Sequence, residues 1–393
     1  MRYVVIFPVL ALYVYIRALI PLALGRRKLI CAALLLPGAL FASITRFVGG
    51  SMVAPELPRL VMIVGDFCAL SLLMLALLVL IRDLISVFLR IFGIPLNRLA
   101  RVRSLTLALA AISVGLTAYG EYVALDDVRV REVDVAIDNL PAGLDGMTIA
   151  QLSDLHVSSL LQAPQLERIV HMTNALHPDL IVITGDMVDG DVVSRGAQLQ
   201  PLQNLQAKLG VWGCEGNHEH YVDYNGWRTF LPTLGIGMLY NSHVVLERNA
   251  SRFVLAGLTD PMAERYHREL PDYRKAVKGA PSGKFVLALE HQPKIAARLA
   301  KQGAGLVLSG HTHGGQAPLM AEITELLNHG YVKGLYYVDR GYNDLRMPLY
   351  VNQGTHLWNG FPLRLGTYGE ITRIRLRCAS GAPEQAKNTL ENK

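Results

Sequence analysis

Residues 180–189 read LIVITGDMVD: Leu180 is followed by four β-branched residues, then by a Gly-Asp turn and a second aspartate. A short β-branched run closed by glycine is a buried strand, and the turn that follows it carries Asp186. The same grammar recurs along the chain. Met147 to Leu152 runs into Asp154 and His156; Gly210 to Cys214 into Gly216, Asn217 and His218. Phe285 to Leu289 runs into Glu290 and His291, and Leu306 to Leu308 into Gly310, His311 and His313. Helical patterns, Gln165 to Leu176 and Lys294 to Lys301, separate some of these strands, and Val128 to Ile137 alternates as an edge strand does. Sites in α/β folds form outside the carboxyl ends of strands, so five strand-end groups are expected to converge on one place.

Upstream the composition changes. All 12 histidines lie from His156 onward, while four apolar stretches fill the first 125 residues: Tyr3 to Leu24, Leu29 to Val48, Leu60 to Ile81 and Ser104 to Val123. Each approaches the ~20 residues that cross a ~30 Å hydrocarbon core, so each reads as a spanning helix. Pro8, Pro21 and Pro37 would kink these helices without forbidding them. With 51% hydrophobic residues, 18% charged residues and a mean hydropathy of +0.28, the chain is too apolar for one soluble domain of this size. The expected division is a membrane domain over 1–125, a catalytic domain over 126–378 and a disordered tail over 379–393.

The net charge of +6 follows membrane topology rather than a nucleic-acid partner, because no basic stripe interleaves with aromatics in the polar half. Arg26, Arg27 and Lys28 occupy the first loop, and Arg82, Arg90, Arg98, Arg101 and Arg103 the third; the second holds Arg59. By the positive-inside rule the first and third loops face the cytoplasm, which places the catalytic domain outside the inner membrane. Ile85 to Phe92 is expected to lie along the inner interface as a short amphipathic helix. Arg17 and Asp66 fall inside spans at depths roughly 10 Å apart, so a direct pair would need snorkelling; local partners or an interface are expected instead. Four dispersed cysteines make neither a disulfide framework nor a Cys-x-x-Cys site.

Singly, Asp154-Leu155-His156 or a lone His291 says little. Together, oxygen and imidazole groups at five strand ends, with glycines that allow tight turns, form a metal-ligand constellation. Mixed nitrogen and oxygen donors suit Mn, Fe or Zn. Two such ions ~3.5–4 Å apart acidify a shared water and neutralise phosphoryl oxygens during in-line displacement.

The polar half resembles the calcineurin-like metallophosphoesterases over roughly Asp126 to Leu376. Its last motif, Gly310 to Gln316, is similar to that of their bacterial membrane-associated branch. The resemblance implies a four-layer αββα sandwich behind the four-helix transmembrane region, and two divalent metal ions. By motif, Asp154, His156, Asp186 and His313 would hold one ion, and Asp186, Asn217, His291 and His311 the other, with Asp186 bridging.

Asn217 offers an oxygen ligand and an amide nitrogen for phosphate. His218 is the expected general acid, with His220 the nearest substitute, and Asp189 an orienting residue. Related serine/threonine phosphatases follow Gly-Asp-x-x-Asp with Arg-Gly; here Gly190 and Asp191 follow Asp189. Without that bidentate phosphate clamp, a diester or pyrophosphate is favoured over a monoester. Gly354-Thr355-His356 and Thr367 to Glu370 also depart from the usual closing segment, which leaves substrate contacts from His356 or Arg364 open.

The expected activity is hydrolysis of a phosphodiester or pyrophosphate, with a phospholipid or lipid-linked phosphate as substrate. Leu319 to Leu327 would be either an apolar lip beside the metals or a core-packed helix. The alternatives are a cytoplasm-facing pyrophosphatase of the UDP-diacylglucosamine type and a non-catalytic membrane sensor or binding protein.

Overall fold

The computed structural model describes residues 2–22, 25, 27–51, 54–93, 103–341 and 345–379. Arg26, Arg98, Arg101 and the expected tail from residue 380 lie outside these. The chain forms two compact units, Met1–Leu125 with Asn359–Leu365, and Asp126–Trp358 with the C-terminal remainder.

The first unit is helical: α1 (Arg2–Val14), α2 (Arg27–Phe47), α3 (Arg59–Ile91) and α4 (Arg103–Leu125). After α1 the chain makes a π turn, Tyr15–Leu19, and a 3-10 turn, Ile20–Leu22. Three segments are long and apolar enough to cross a membrane: Val4–Leu22, Arg59–Ile91 and Arg103–Leu125. The second expected span is represented by the shorter apolar Ala32–Phe47. Small residues bring α2 and α3 together: a side chain on Gly65 would run into the Phe41 ring, and one on Gly38 into the Cys68 carbonyl.

One expectation is corrected here. The segment expected to form a separate amphipathic helix continues α3, because nothing between Ile81 and Ile91 breaks a helix; Gly93, at φ +75°, follows its end. Arg17 finds its partner not in Asp66 but in Asp83 of α3. Its Nε lies 2.7 Å from Asp83 Oδ2, and Asp83 also accepts from Tyr13 and from Arg82, which caps the Arg17 carbonyl at 2.8 Å.

The second unit is built on two six-stranded sheets. In chain order its elements are β1 (Val128–Ile137), β2 (Thr148–Leu152), α5 (Ala163–Asn174), β3 (Leu180–Thr184), α6 (Val192–Leu199), β4 (Val211–Cys214), α7 (Tyr224–Phe230) and β5 (Ile236–Met238). There follow β6 (Ser242–Arg248), β7 (Ser251–Gly257), α8 (Tyr273–Ala276), β8 (Val286–Leu289), α9 (Ala296–Lys301), β9 (Leu306–Ser309), α10 (Met320–Leu327), β10 (Gly334–Asp339), β11 (Arg346–Val351) and β12 (Gly369–Cys378). One sheet runs β1-β12-β2-β3-β4-β5 and the other β10-β11-β9-β8-β7-β6.

Strand periodicity explains the layers. Leu180 and Val182 of β3 join Leu287 and Leu289 of β8 in a core between the sheets, while Ile181 and Ile183, on the opposite face, join Leu166 and Ile169 of α5. Likewise Ala288 and Val307 turn outward onto Leu299 of α9. The result is a helix–sheet–sheet–helix sandwich. Within it β2, β3, β4 and β5 are parallel, as are β7, β8, β9 and β11, so the ends of both parallel runs deliver their loops to one site.

Candidate metal centre

The β2 and β3 ladder does not stop where the strands do. Asp154 N–H donates to the Gly185 carbonyl, His156 N–H to Asp186, Val157 N–H to Met187, and Asp189 N–H back to Val157, at 2.9–3.1 Å. The two loops are zipped through their own candidate ligands. Holding them so requires an unusual backbone: Asp154, His156, Asp186, His311 and His313 all have φ between 48° and 72°. Non-glycine residues seldom adopt this left-handed form, and clusters of it mark sites that the surrounding structure over-determines. The neighbouring glycines leave space. A side chain on Gly216 would overlap the Asp186 carboxylate, and one on Gly310 would overlap Ser153 and Asp154.

The seven candidate ligands are brought together. Asp154, His156 and His313 form one group, and Asp186, His291 and His311 another, each with ligand atoms within 4.8 Å of one another. Asp186 Oδ2 stands between them, 3.2 Å from His291 Nε2 and 3.7 Å from His156 Nε2. Its other oxygen accepts the His218 backbone N–H at 2.8 Å, which holds the carboxylate with Oδ2 toward both groups. Asn217 Oδ1 lies 3.1 Å from His291 Nε2, and His313 Nε2 lies 3.3 Å from His156 Nε2 and 3.5 Å from Asp154 Oδ1. Ligand atoms ~2.0–2.2 Å from one ion stand roughly 3.0–3.5 Å apart. These spacings therefore fit two cations, and the pair of facing imidazole nitrogens suits a cation between them.

Tautomers are set from behind. His291 Nδ1 donates to the Thr184 carbonyl at 2.7 Å, turning Nε2 toward the centre. Asp189 Oδ1 accepts from Nδ1 of His156 at 3.0 Å and of His218 at 2.6 Å, which turns both Nε2 atoms the same way. Asp189 is thus the orienting residue of two histidines.

Charge is distributed accordingly. Burial lowers the His218 imidazole, but Asp186 and Asp189 outweigh it and raise it to about 9. Burial, together with the charge of His291, pushes His311 down to about 3, the neutral form a ligand needs. Burial raises the Asp186 carboxyl, yet His291 and His218 hold it well below the usual range.

The geometry changes two expectations. The Asn217 amide nitrogen is engaged, donating to Tyr221 Oη at 2.9 Å; this fixes the amide with its oxygen toward His291. His220 is no substitute acid, because Nε2 meets Glu215 at 3.0 Å and Nδ1 meets Arg268 at 3.0 Å.

Two residues of the site had gone unassigned. Glu219 accepts the backbone N–H groups of Asp186, Met187 and Gly216 at 2.6–3.1 Å, tying the β3 and β4 loops together. Tyr221 stacks obliquely on His218 with ring centroids 4.7 Å apart, and burial pushes its hydroxyl up to about 12. Their position directly after Asn217-His218 was the available signal. His356 lies at the site's edge through its backbone N–H on the Asp154 carbonyl at 3.1 Å.

Residues 147–315 match the family model of the calcineurin-like phosphoesterases. A zebrafish (Danio rerio) protein called "Transmembrane protein with metallophosphoesterase domain" is 35% identical over 74% of this chain and 70% of its own length. Its bovine (Bos taurus) namesake is 32% identical over 73% and 66%. An uncharacterised metallophosphoesterase of Helicobacter pylori is 34% identical over 65% and 66%.

Proposed function

The chain belongs to the calcineurin-like metallophosphoesterases, metal-dependent hydrolases, and from that premise we propose that it is a membrane-bound two-metal enzyme cleaving a phosphodiester or pyrophosphate bond in a lipid-linked substrate. The observation that carries this reading is Asp186 Oδ2, set between His291 and His156 with His218 Nε2 4.0 Å away. One carboxylate oxygen serves both ligand groups and faces the acid.

Asp154, His156 and His313 would hold one ion, Asn217, His291 and His311 the other, with Asp186 shared; Mn, Fe or Zn suits this mixture. When bound, such a pair acidifies water and neutralises phosphoryl oxygens. The chain's own groups do the rest. His218, kept protonated by Asp186 and Asp189, donates from Nε2 to the departing oxygen, and Tyr221 holds the Asn217 amide in register. Arg195, the arginine closest in sequence to the Gly-Asp-x-x-Asp motif, is committed to the Asp189 carbonyl and Ser159, which favours a diester or pyrophosphate over a monoester.

The lipid part of the reading rests on α10, which follows His313 by seven residues. None of its residues is buried, and Leu319, Ile323, Leu326 and Leu327 are 59–80% exposed. The alternative of a core-packed helix is thereby excluded. An apolar helix face next to the site suits the acyl part of a substrate, or the bilayer holding it. With apolar helices long enough to cross a membrane in the same chain, we place the hydrolase on the extracytoplasmic side of the inner membrane, following the arginines of the first and third loops.

The test compares kcat/KM for a phospholipid diester in mixed micelles with that for its water-soluble head-group analogue, in wild type and in Ile323→Asp/Leu326→Asp. The proposal expects the lipid to be the better substrate in wild type, with the advantage lost in the variant. Equal values in wild type would assign a soluble substrate.

A further inference from the structure

The helical unit contains two carboxyl groups that hydrolysis does not use. Asp66 of α3 and Glu121 of α4 are 93% and 95% buried, with relative exposures of 7% and 5%. Among the described residues neither makes an ion pair, and Oδ2 of Asp66 and Oε1 of Glu121 have no hydrogen-bond partner. Glu121 is near enough for its charge to act on Asp66. A second contact, from Ser113 Oγ to the Ser71 carbonyl at 3.3 Å, lies further along α3 and earlier along α4. The two helices therefore pack antiparallel.

Counting from the Ser71–Ser113 contact, residue 118 stands opposite Asp66. Thr117 is then one residue, and Glu121 three residues or ~4.5 Å, from the level of Asp66. Ser113, Thr117 and Glu121 are spaced four apart, so they form one ridge on the face that meets α3. Thr117 is fully buried, and its Oγ1 has no partner either. Three unpartnered oxygens, two of them acidic, thus lie within about one helical turn of each other along an apolar helix pair.

Two bare carboxylates in such surroundings are among the costliest arrangements a membrane helix can hold, and one shared positive charge removes most of that cost. We propose that Asp66, Glu121 and Thr117 form an intramembrane site for one hard monovalent cation, a proton or Na⁺, held between the two carboxyl groups.

Among the described residues, no ion pair links the other ionisable groups of the packed elements to this site. Cys68 of α3, half-buried, is the one on which Glu121 also acts. Tyr13, Arg17 and Arg82 are occupied with Asp83, seventeen residues beyond Asp66 on α3 and so ~25 Å away. Arg59 lies two turns before Asp66 on α3, Arg46 sits in the last turn of α2, and Tyr119 and Tyr122 of α4 are 57% and 60% exposed. Arg364 of the Asn359–Leu365 segment meets α4 through its backbone N–H on the Gly120 carbonyl at 2.9 Å.

The test is carbodiimide modification of the full-length protein in liposomes. Dicyclohexylcarbodiimide reacts with a carboxyl group in an apolar setting only while that group is protonated, and the modified peptide is identified by mass spectrometry. In sodium-free buffer at pH 6, modification at Asp66 or Glu121 is expected, falling about tenfold or more by pH 9. At constant pH, added NaCl slows the reaction if the site accepts Na⁺ and leaves it unchanged if it accepts only a proton; either result supports the site. Absence of modification at both residues from pH 5 to 9 in sodium-free buffer would overturn it. So would equal modification at pH 6 and pH 9, because a permanently neutral pair binds no exchangeable cation.

Discussion

Nδ1 of His218 lies 2.6 Å from Oδ1 of Asp189, the shortest imidazole–carboxylate contact among the described residues of the site. It fixes which nitrogen of His218 faces the candidate ligands and, together with the charge of Asp186, favours the protonated ring. In the proposed reaction a ring so placed would serve as the acid for a leaving oxygen.

Replacement of His218 by Asn should therefore depend on the leaving group. An alkyl or lipid alkoxide needs protonation, worth ~10²–10⁴-fold; p-nitrophenolate needs little. Steady-state kinetics on both diesters should show a large kcat loss on the first and a small one on the second. Equal losses with two metals retained would assign His218 to the phosphoryl oxygens. The pH profile gives a second readout. A value raised to about 9 means the acid form persists through neutrality and is lost as pH rises, and two cations beside the ring would pull that value down. The alkaline limb on the alkyl substrate should fall no higher than about 9 and disappear in His218→Asn.

Asp189 orients two histidines, one a candidate ligand and one the proposed acid. Asp189→Ala should lower kcat/KM by ~10–100-fold and weaken metal affinity by a similar factor, as loss of an orienting carboxylate does. Because the His218 tautomer is already lost in that variant, adding His218→Asn should cost far less than it does in wild type. Measured losses that simply multiply would show that Asp189 and His218 act independently.

Much of this site was legible in the sequence because strand and ligand are adjacent: a β-branched run such as Leu180–Thr184 marks its own carboxyl end, and Asp186 follows it. What lay beyond reach depends on atoms rather than order. The direction of the Asn217 amide is decided by Tyr221, and the dead end at His220 by Arg268, 48 residues away. The left-handed backbones of Asp154 and His311 leave no compositional trace, since neither is glycine. In the helical unit, hydropathy located the apolar runs but not the end of α3, whose last turns hold charges yet no Pro or Gly that would stop a helix. Nor did depth along a span reveal that Arg17 would find Asp83 rather than Asp66.

Topology is tested by reporters fused after Ala379. A reporter active only outside the cytoplasm should be active there, given eight basic residues in the first and third loops against one in the second. Activity of a cytoplasm-only reporter at the same point would reverse the orientation and favour a substrate made inside the cell.

The claim on which the rest depends is that Asp186 joins two metal positions into one reactive centre. Its most direct test is elemental analysis of purified wild type and Asp186→Ala, alongside turnover of a generic diester and a melting curve to confirm folding. Two divalent ions per wild-type chain, fewer than two in the folded variant and loss of hydrolysis are predicted. A folded variant that keeps both ions and near-wild-type turnover would contradict the account.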